Sequence, residues 1–85
     1  MKKKKREFNA ERLGAELKKA RLRLSAKIGK RITIAAAADM IGIGTTTLFF
    51  IEEGKRGPNV ERLIDLLNLY DDSQEAIIKA AGLKS

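Results

Sequence analysis

Cysteine, histidine and tryptophan are absent from the 85 residues, and proline and tyrosine occur once each. Without cysteine there is no disulfide framework and no thiolate chemistry, which fits an intracellular setting. Without histidine or cysteine the usual bases and nucleophiles are missing, no serine lies near a plausible base, and no metal-ligand spacing exists. The acid pairs Glu52-Glu53 and Asp71-Asp72 are neighbours in sequence. On helices their side chains diverge by about 100° and cannot converge as an acid–base pair. Gly42-Ile43-Gly44 is a fragment of a dinucleotide fingerprint, without its third glycine or its preceding strand. Enzymatic activity, a cofactor, a bound metal and a small-molecule substrate are therefore not expected. No apolar run approaches the ~20 residues that cross a bilayer. Residues 7–24 are too charged for the apolar part of a signal peptide. The expected location is the cytoplasm, at the nucleoid if the source is bacterial.

What the sequence does have is positive charge, unevenly placed. Eighteen Lys and Arg against eleven Asp and Glu give a net charge of +7. Residues 1–31 contribute +10 of this and residues 32–85 contribute −3. Such asymmetry points to a polyanion met from one end of the molecule. The length allows one domain with a modest core. The helix-forming composition, low in proline and in β-branched runs, predicts an all-α fold. Residues 1–7 form a basic arm and residues 8–85 the single domain.

The chain is organised around Thr33–Gly54, TIAAAADMIGIGTTTLFFIEEG. Thr33 is an N-cap residue type for a helix that runs through the alanines, with Ala37, Ala38 and Ile41 on its apolar side. Gly42 can take the left-handed conformation that ends a helix, and Ile43 can then reach the core. A second helix starts at Gly44 or Thr45, buries Leu48 and Ile51, and stops at Gly54. Two short helices about a tight turn make a helix-turn-helix.

Thr33, Ala38, Gly42, Ile43, Leu48, Ile51, Glu52, Gly54 and Pro58 fall where the lambda-repressor-like (Cro and XRE) DNA-binding family has its signature. The segment GIGTTTL also resembles the start of a recognition helix in that family. The resemblance covers about residues 9–82 and implies a compact five-helix domain with its helix-turn-helix at about 33–53. It further implies double-stranded DNA as the partner, with residues 44–53 in the major groove and Thr45, Thr46, Thr47 and Phe50 at the bases. Helical spacing agrees, because positions 46 and 50 share one face while Leu48 and Ile51 take the other. Threonine hydroxyls can bond several base edges, and apolar groups can touch the thymine methyl, so sites containing A·T are favoured.

Phosphate contacts are expected on both sides of this unit. Lys30 and Arg31 precede the second helix, whose N-terminus at Thr33 favours anions, although a solvated loop would carry the same charges. The resemblance assigns Lys55 and Arg56 to the loop that grips the backbone. Lys3, Lys4 and Lys5 belong to the arm, which either lies along DNA or is a solubilising tail. The resemblance also pairs Arg21, four residues after Leu17, with Glu52 in a structural salt bridge.

The remaining elements follow from patterns along the chain. Asn9 caps helix 1, with a Phe8–Leu13 staple and a core stripe of Leu13, Leu17, Ala20 and Leu24, leaving Leu22 outside. Residues 25–32 read as a long connection broken at Gly29. Asn59 caps helix 4, whose inward residues are expected to be Val60, Leu63, Ile64, Leu67 and Tyr70. Asp72 and Glu75 read as a capping box for helix 5, with Ile77, Ile78 and Ala81 apolar. In several family members the last helix makes a dimer contact, so a homodimer through helix 5, using Ile78 or Leu83, is implied.

Three positions depart from the family pattern. Ile34 replaces a phosphate-binding glutamine, Glu53 brings a repelling charge, and Phe49 replaces a small polar residue. Adjacent Phe49 and Phe50 cannot both enter the core. Departures of this kind are in the style of a redesigned relative. They keep open a second function, an antitoxin-like protein-interaction module using Phe49, Phe50 and helix 5. A third is sequence-blind polyanion binding through the arm alone.

Overall fold

The computed structural model describes residues 9–82, and these form five α-helices: α1 (Ala10–Ile28), α2 (Ile34–Ile41), α3 (Thr45–Glu52), α4 (Val60–Leu69) and α5 (Gln74–Ala80). A short 3-10 turn, Asp71–Ser73, joins the last two. No strand occurs among the described residues. The Lys-rich arm and the Phe8 half of the proposed staple lie outside them, as does Leu83.

The side chains that start the helices are those the sequence supplies for it. Asn9, Thr33 and Asn59 each accept a backbone N–H one turn on, from Arg12, Ala36 and Arg62 at 2.9–3.1 Å. Each such cap contributes about 1 kcal/mol to its helix. α1 packs on α3 and α5, and α2 packs on α3 and α4. The core between them holds Leu13, Leu17 and Ala20 of α1, Ile32, Ala37, Ala38, Leu48, Ile51, Leu66, Tyr70 and Ile77, with Ala80 and Ala81 at its edge. Leu24 is packed against this cluster and Leu22 is exposed, as the stripe along α1 requires.

Three local expectations need correction. Residues 25–28 are not a connection: α1 continues to Ile28, and only residues 29–33 link it to α2. Ser25 explains how so short a link holds. Its hydroxyl donates to the Arg21 carbonyl (3.1 Å) and accepts the Ile32 amide (2.9 Å), stitching the end of α1 to the approach to α2.

In α4, Val60 and Ile64 are exposed, and the fully buried residue is Leu66. The stripe is centred on Leu63, Leu66, Leu67 and Tyr70. Ile64 is two positions from Leu66, about 200° around the helix, so the two cannot share a face.

The Asp72–Glu75 capping box is also absent. α5 begins without a side-chain cap, and the Asp72 carboxylate instead meets the Lys27 ammonium at 2.7 Å.

Candidate nucleic-acid interface

The helix-turn-helix is a rigid corner. α2 ends on Gly42, whose positive φ of 75° lets the Gly42 amide reach the Asp39 carbonyl (3.2 Å) and the Ile43 amide reach the Ala38 carbonyl (2.9 Å). This Schellman closure satisfies carbonyls that would otherwise be orphaned at the helix end. It turns Ile43 back against the core. Gly44 then opens α3, and the axes of α2 and α3 differ by 112°. That lies within the range for helix-turn-helix pairs.

What fixes α3 to the rest of the domain is unusual in so small a core. Glu52, its last residue, is buried and receives Arg21 Nε at 2.9 Å and Arg21 Nη2 at 3.0 Å, one on each carboxylate oxygen. The third arm of the guanidinium, Nη1, donates to the Ile32 carbonyl at 3.0 Å. One α1 side chain thus fixes both the end of α3 and the entry to α2. The hydrogen bond from Arg21 to Glu52 raises the arginine pKa still further, against the opposing effect of burial. Both charges also act on Tyr70, whose buried phenol is pushed well above its ordinary value, first by burial and then by the Glu52 charge. The Tyr70 hydroxyl has no protein hydrogen-bond partner among the described residues.

The backbones meet as closely as the charges. A Cβ on Gly14 would lie 2.5 Å from the carbonyl oxygens of Ile51 and Glu52, and one on Gly54 would lie 2.6 Å from Glu11 Cα. α1 therefore rests directly on the C-terminal end of α3, with no room for a side chain between them.

With Leu48, Ile51 and Glu52 inside, the opposite side of α3 is left to solvent. Thr46, Phe49 and Phe50 are exposed there, Thr45 is exposed at the start of the helix, and Thr47 is half-buried. α3 carries no side-chain cap at Gly44 and has neither an acid in its first turn nor a base in its last. The sequence puts Phe50 at the bases and gives Phe49 a part only in the alternative protein-interaction surface. Phe49 is the more exposed of the two, at 43% against 36%. Their rings lie 5.9 Å apart, tilted by 49°, so they form one continuous apolar surface. The signal was present in the sequence, since an aromatic next to Phe50 on a helix with Leu48 and Ile51 inside has nowhere else to go.

The expected phosphate-binding residues lie in the loops that bracket this unit. Lys30 and Arg31, before α2, are exposed, as are Lys55 and Arg56, after α3. Thr33 uses its hydroxyl oxygen to cap α2. The hydroxyl hydrogen stays free to donate. Ile34 is partly buried against the core. Lys3, Lys4 and Lys5 lie outside the described residues. No group of three or more potential metal ligands occurs among the described residues, and no single helix there is long and apolar enough to cross a membrane. The large apolar residues exposed among the described residues include none on α5.

A bundle built around a capped corner, with one face of its second helix free, defines a helix-turn-helix DNA-binding domain. A family model described as helix-turn-helix, of the Cro/C1 type, matches residues 17–78. The chain belongs to that family, whose members are DNA-binding regulators. Searches of curated proteins and of solved structures gave no match.

Proposed function

We propose that the protein binds a preferred double-stranded DNA sequence by laying α3 in the major groove, and acts as a repressor-type transcription regulator. The observation that carries this reading is the division of α3. Leu48, Ile51 and Glu52 lock one side to the domain, and neither Thr46 and Phe50 on the other side nor Thr45 at the exposed start of the helix has structural work. Three β-branched threonines are poor helix formers for a surface with no task. Thr45, Thr46, Thr47 and Phe50 contact base edges, with a preference for A·T. Thr33 and the first amides of α2, Lys30, Arg31, Lys55 and Arg56 take phosphates, and Lys3, Lys4 and Lys5 add sequence-blind attraction. Pairing of two copies through α5, implied by the family resemblance, would draw on the half-buried Ile78 and on residues beyond Gly82.

The exposed Phe49–Phe50 surface favours one other reading, a protein-interaction module of antitoxin type. A randomised-duplex selection near physiological salt separates the two, with a Thr45/Thr46/Phe50 triple-alanine variant as control. A short motif enriched by the native chain and lost by the variant is the expected result, and its symmetry reports one copy or two. With about five or six phosphates neutralised, log K should fall against log salt with a slope near −5. No enrichment, with a slope near zero, would overturn DNA reading.

A further inference from the structure

We infer that the group α3 recognises is the C5 methyl of a pyrimidine, and that Phe49 and Phe50 together form the surface that receives it; this rests on the DNA-binding reading above. α3 lacks the side chains that read purines by paired hydrogen bonds. Its exposed side chains are Thr45, Thr46, Phe49 and Phe50, with Thr47 half-buried beside them. No arginine, lysine, asparagine or glutamine occurs between Gly44 and Gly54. The bidentate hydrogen bonds that distinguish guanine and adenine are therefore out of its reach. The apolar feature on a base edge in the major groove is the methyl that distinguishes thymine from cytosine.

The two rings suit that group. Neither is buried by the domain, and at 5.9 Å between centroids with a 49° tilt they leave an apolar face two rings wide, not two isolated contacts. The threonine methyls extend it toward the start of the helix. The surroundings fit duplex DNA better than an apolar protein surface. Cationic loops, Lys30-Arg31 and Lys55-Arg56, precede and follow the helix-turn-helix, and the chain carries +7 overall. Thymine and 5-methylcytosine present the same methyl at the same place in the groove, so α3 accepts either.

The test uses the full chain and three randomised duplex pools. One has ordinary bases, one has uracil for thymine, and one has uracil for thymine together with 5-methylcytosine for cytosine. The ordinary pool is expected to yield a thymine-containing motif, and the uracil pool to lose it. The third pool should return a motif with 5-methylcytosine at the corresponding positions. In duplexes made from the winning motif, each thymine-to-uracil change at a contacted position should weaken binding about fourfold, the transfer free energy of one buried carbon.

That sensitivity should vanish in Phe49→Ala and Phe50→Ala. Both rings are exposed, so the variants should keep the native circular dichroism and melting temperature. If ordinary and uracil duplexes bind equally well, methyl recognition is wrong while DNA reading stands. If the sensitivity persists in both phenylalanine variants, the ring pair is not the receiving surface. If no pool yields a motif, DNA reading and this inference fall together, and the aromatic pair faces a protein.

Discussion

Among the described residues, two ion pairs join α1 to distant parts of the chain, and they differ in nearly everything that gives an ion pair its strength. Arg21 and Glu52 are 10% and 2% exposed at their side chains, bonded through both carboxylate oxygens, with a third bond to the Ile32 carbonyl. Lys27 and Asp72 meet at 2.7 Å through one contact, with side chains 59% and 62% exposed. The shorter distance belongs to the weaker pair. Water screens the exposed charges whether or not they meet, whereas the buried charges are shielded from water and depend on each other for compensation. The first pair places the helix-turn-helix, and the second decorates the turn before α5.

That contrast can be broken deliberately, beginning with the buried pair. Glu52→Ala leaves the Arg21 guanidinium uncompensated in the core and should cost about 3–5 kcal/mol. Total stability for a domain of this size is on the order of 4–13 kcal/mol. Urea denaturation should therefore show a large loss, with DNA binding reduced alongside. An Arg21→Met/Glu52→Leu double variant should recover much of that stability, because a pair of apolar side chains leaves no charge unpaired.

Gly14→Ala attacks the same junction by volume. Its Cβ would meet backbone carbonyls at 2.5 Å, which cannot swing aside as a side chain can, so α1 and α3 must separate. The expected cost is about 1–3 kcal/mol, the range for an overpacked core. A change within about 0.3 kcal/mol would show that the helices are not in backbone contact. Thr33→Ala removes one cap, with an expected loss of about 1 kcal/mol in the same denaturation experiment.

Tyr70→Phe sharpens the comparison through pH. The unfolded phenol ionises at about 10. Burial and the Glu52 charge hold the folded phenol well above that. The folded state thus keeps a proton that the unfolded state releases, and stability present below pH about 10 is lost as the pH climbs toward the folded value. Near neutrality the substitution should change stability by no more than about 1 kcal/mol, since no protein group bonds the hydroxyl. In alkaline solution the native chain should lose stability faster than the variant. The single tyrosine makes the ionisation directly visible in ultraviolet absorbance. The smallest effect is reserved for Asp72→Asn, which should leave the melting temperature unchanged because both side chains of the pair are more than half exposed and water screens their charges.

Most of the fold was legible because it rests on local chemistry. Asn9, Thr33 and Asn59 cap, and Gly42 closes α2, through groups within a few residues of each other. The errors fall where tertiary packing chose among local options. Val60 and Ile64 are as apolar as Leu66, and only the neighbours of α4 decide which row is buried. Asp72 had a local role open to it as a cap and took a partner 45 residues away. Ser25 looked like loop chemistry but works from inside α1. At the site, the spacing of Leu48 and Ile51 located the outer face of α3. The shared exposure of Phe49 and Phe50 was legible from their adjacency, but the 5.9 Å separation and 49° tilt of the rings were not, because ring-to-ring geometry is not a property of spacing alone.

The two-sidedness of α3 has a bearing on how such a protein can change. Everything that holds the helix lies on Leu48, Ile51 and Glu52, and the residues offered outward at 45, 46, 49 and 50 are exposed. Surface substitutions of that sort usually alter stability by less than about 0.5 kcal/mol. Preference for a new target can therefore be gained or lost at those four positions without passing through a misfolded intermediate, so the scaffold outlasts any one of its targets.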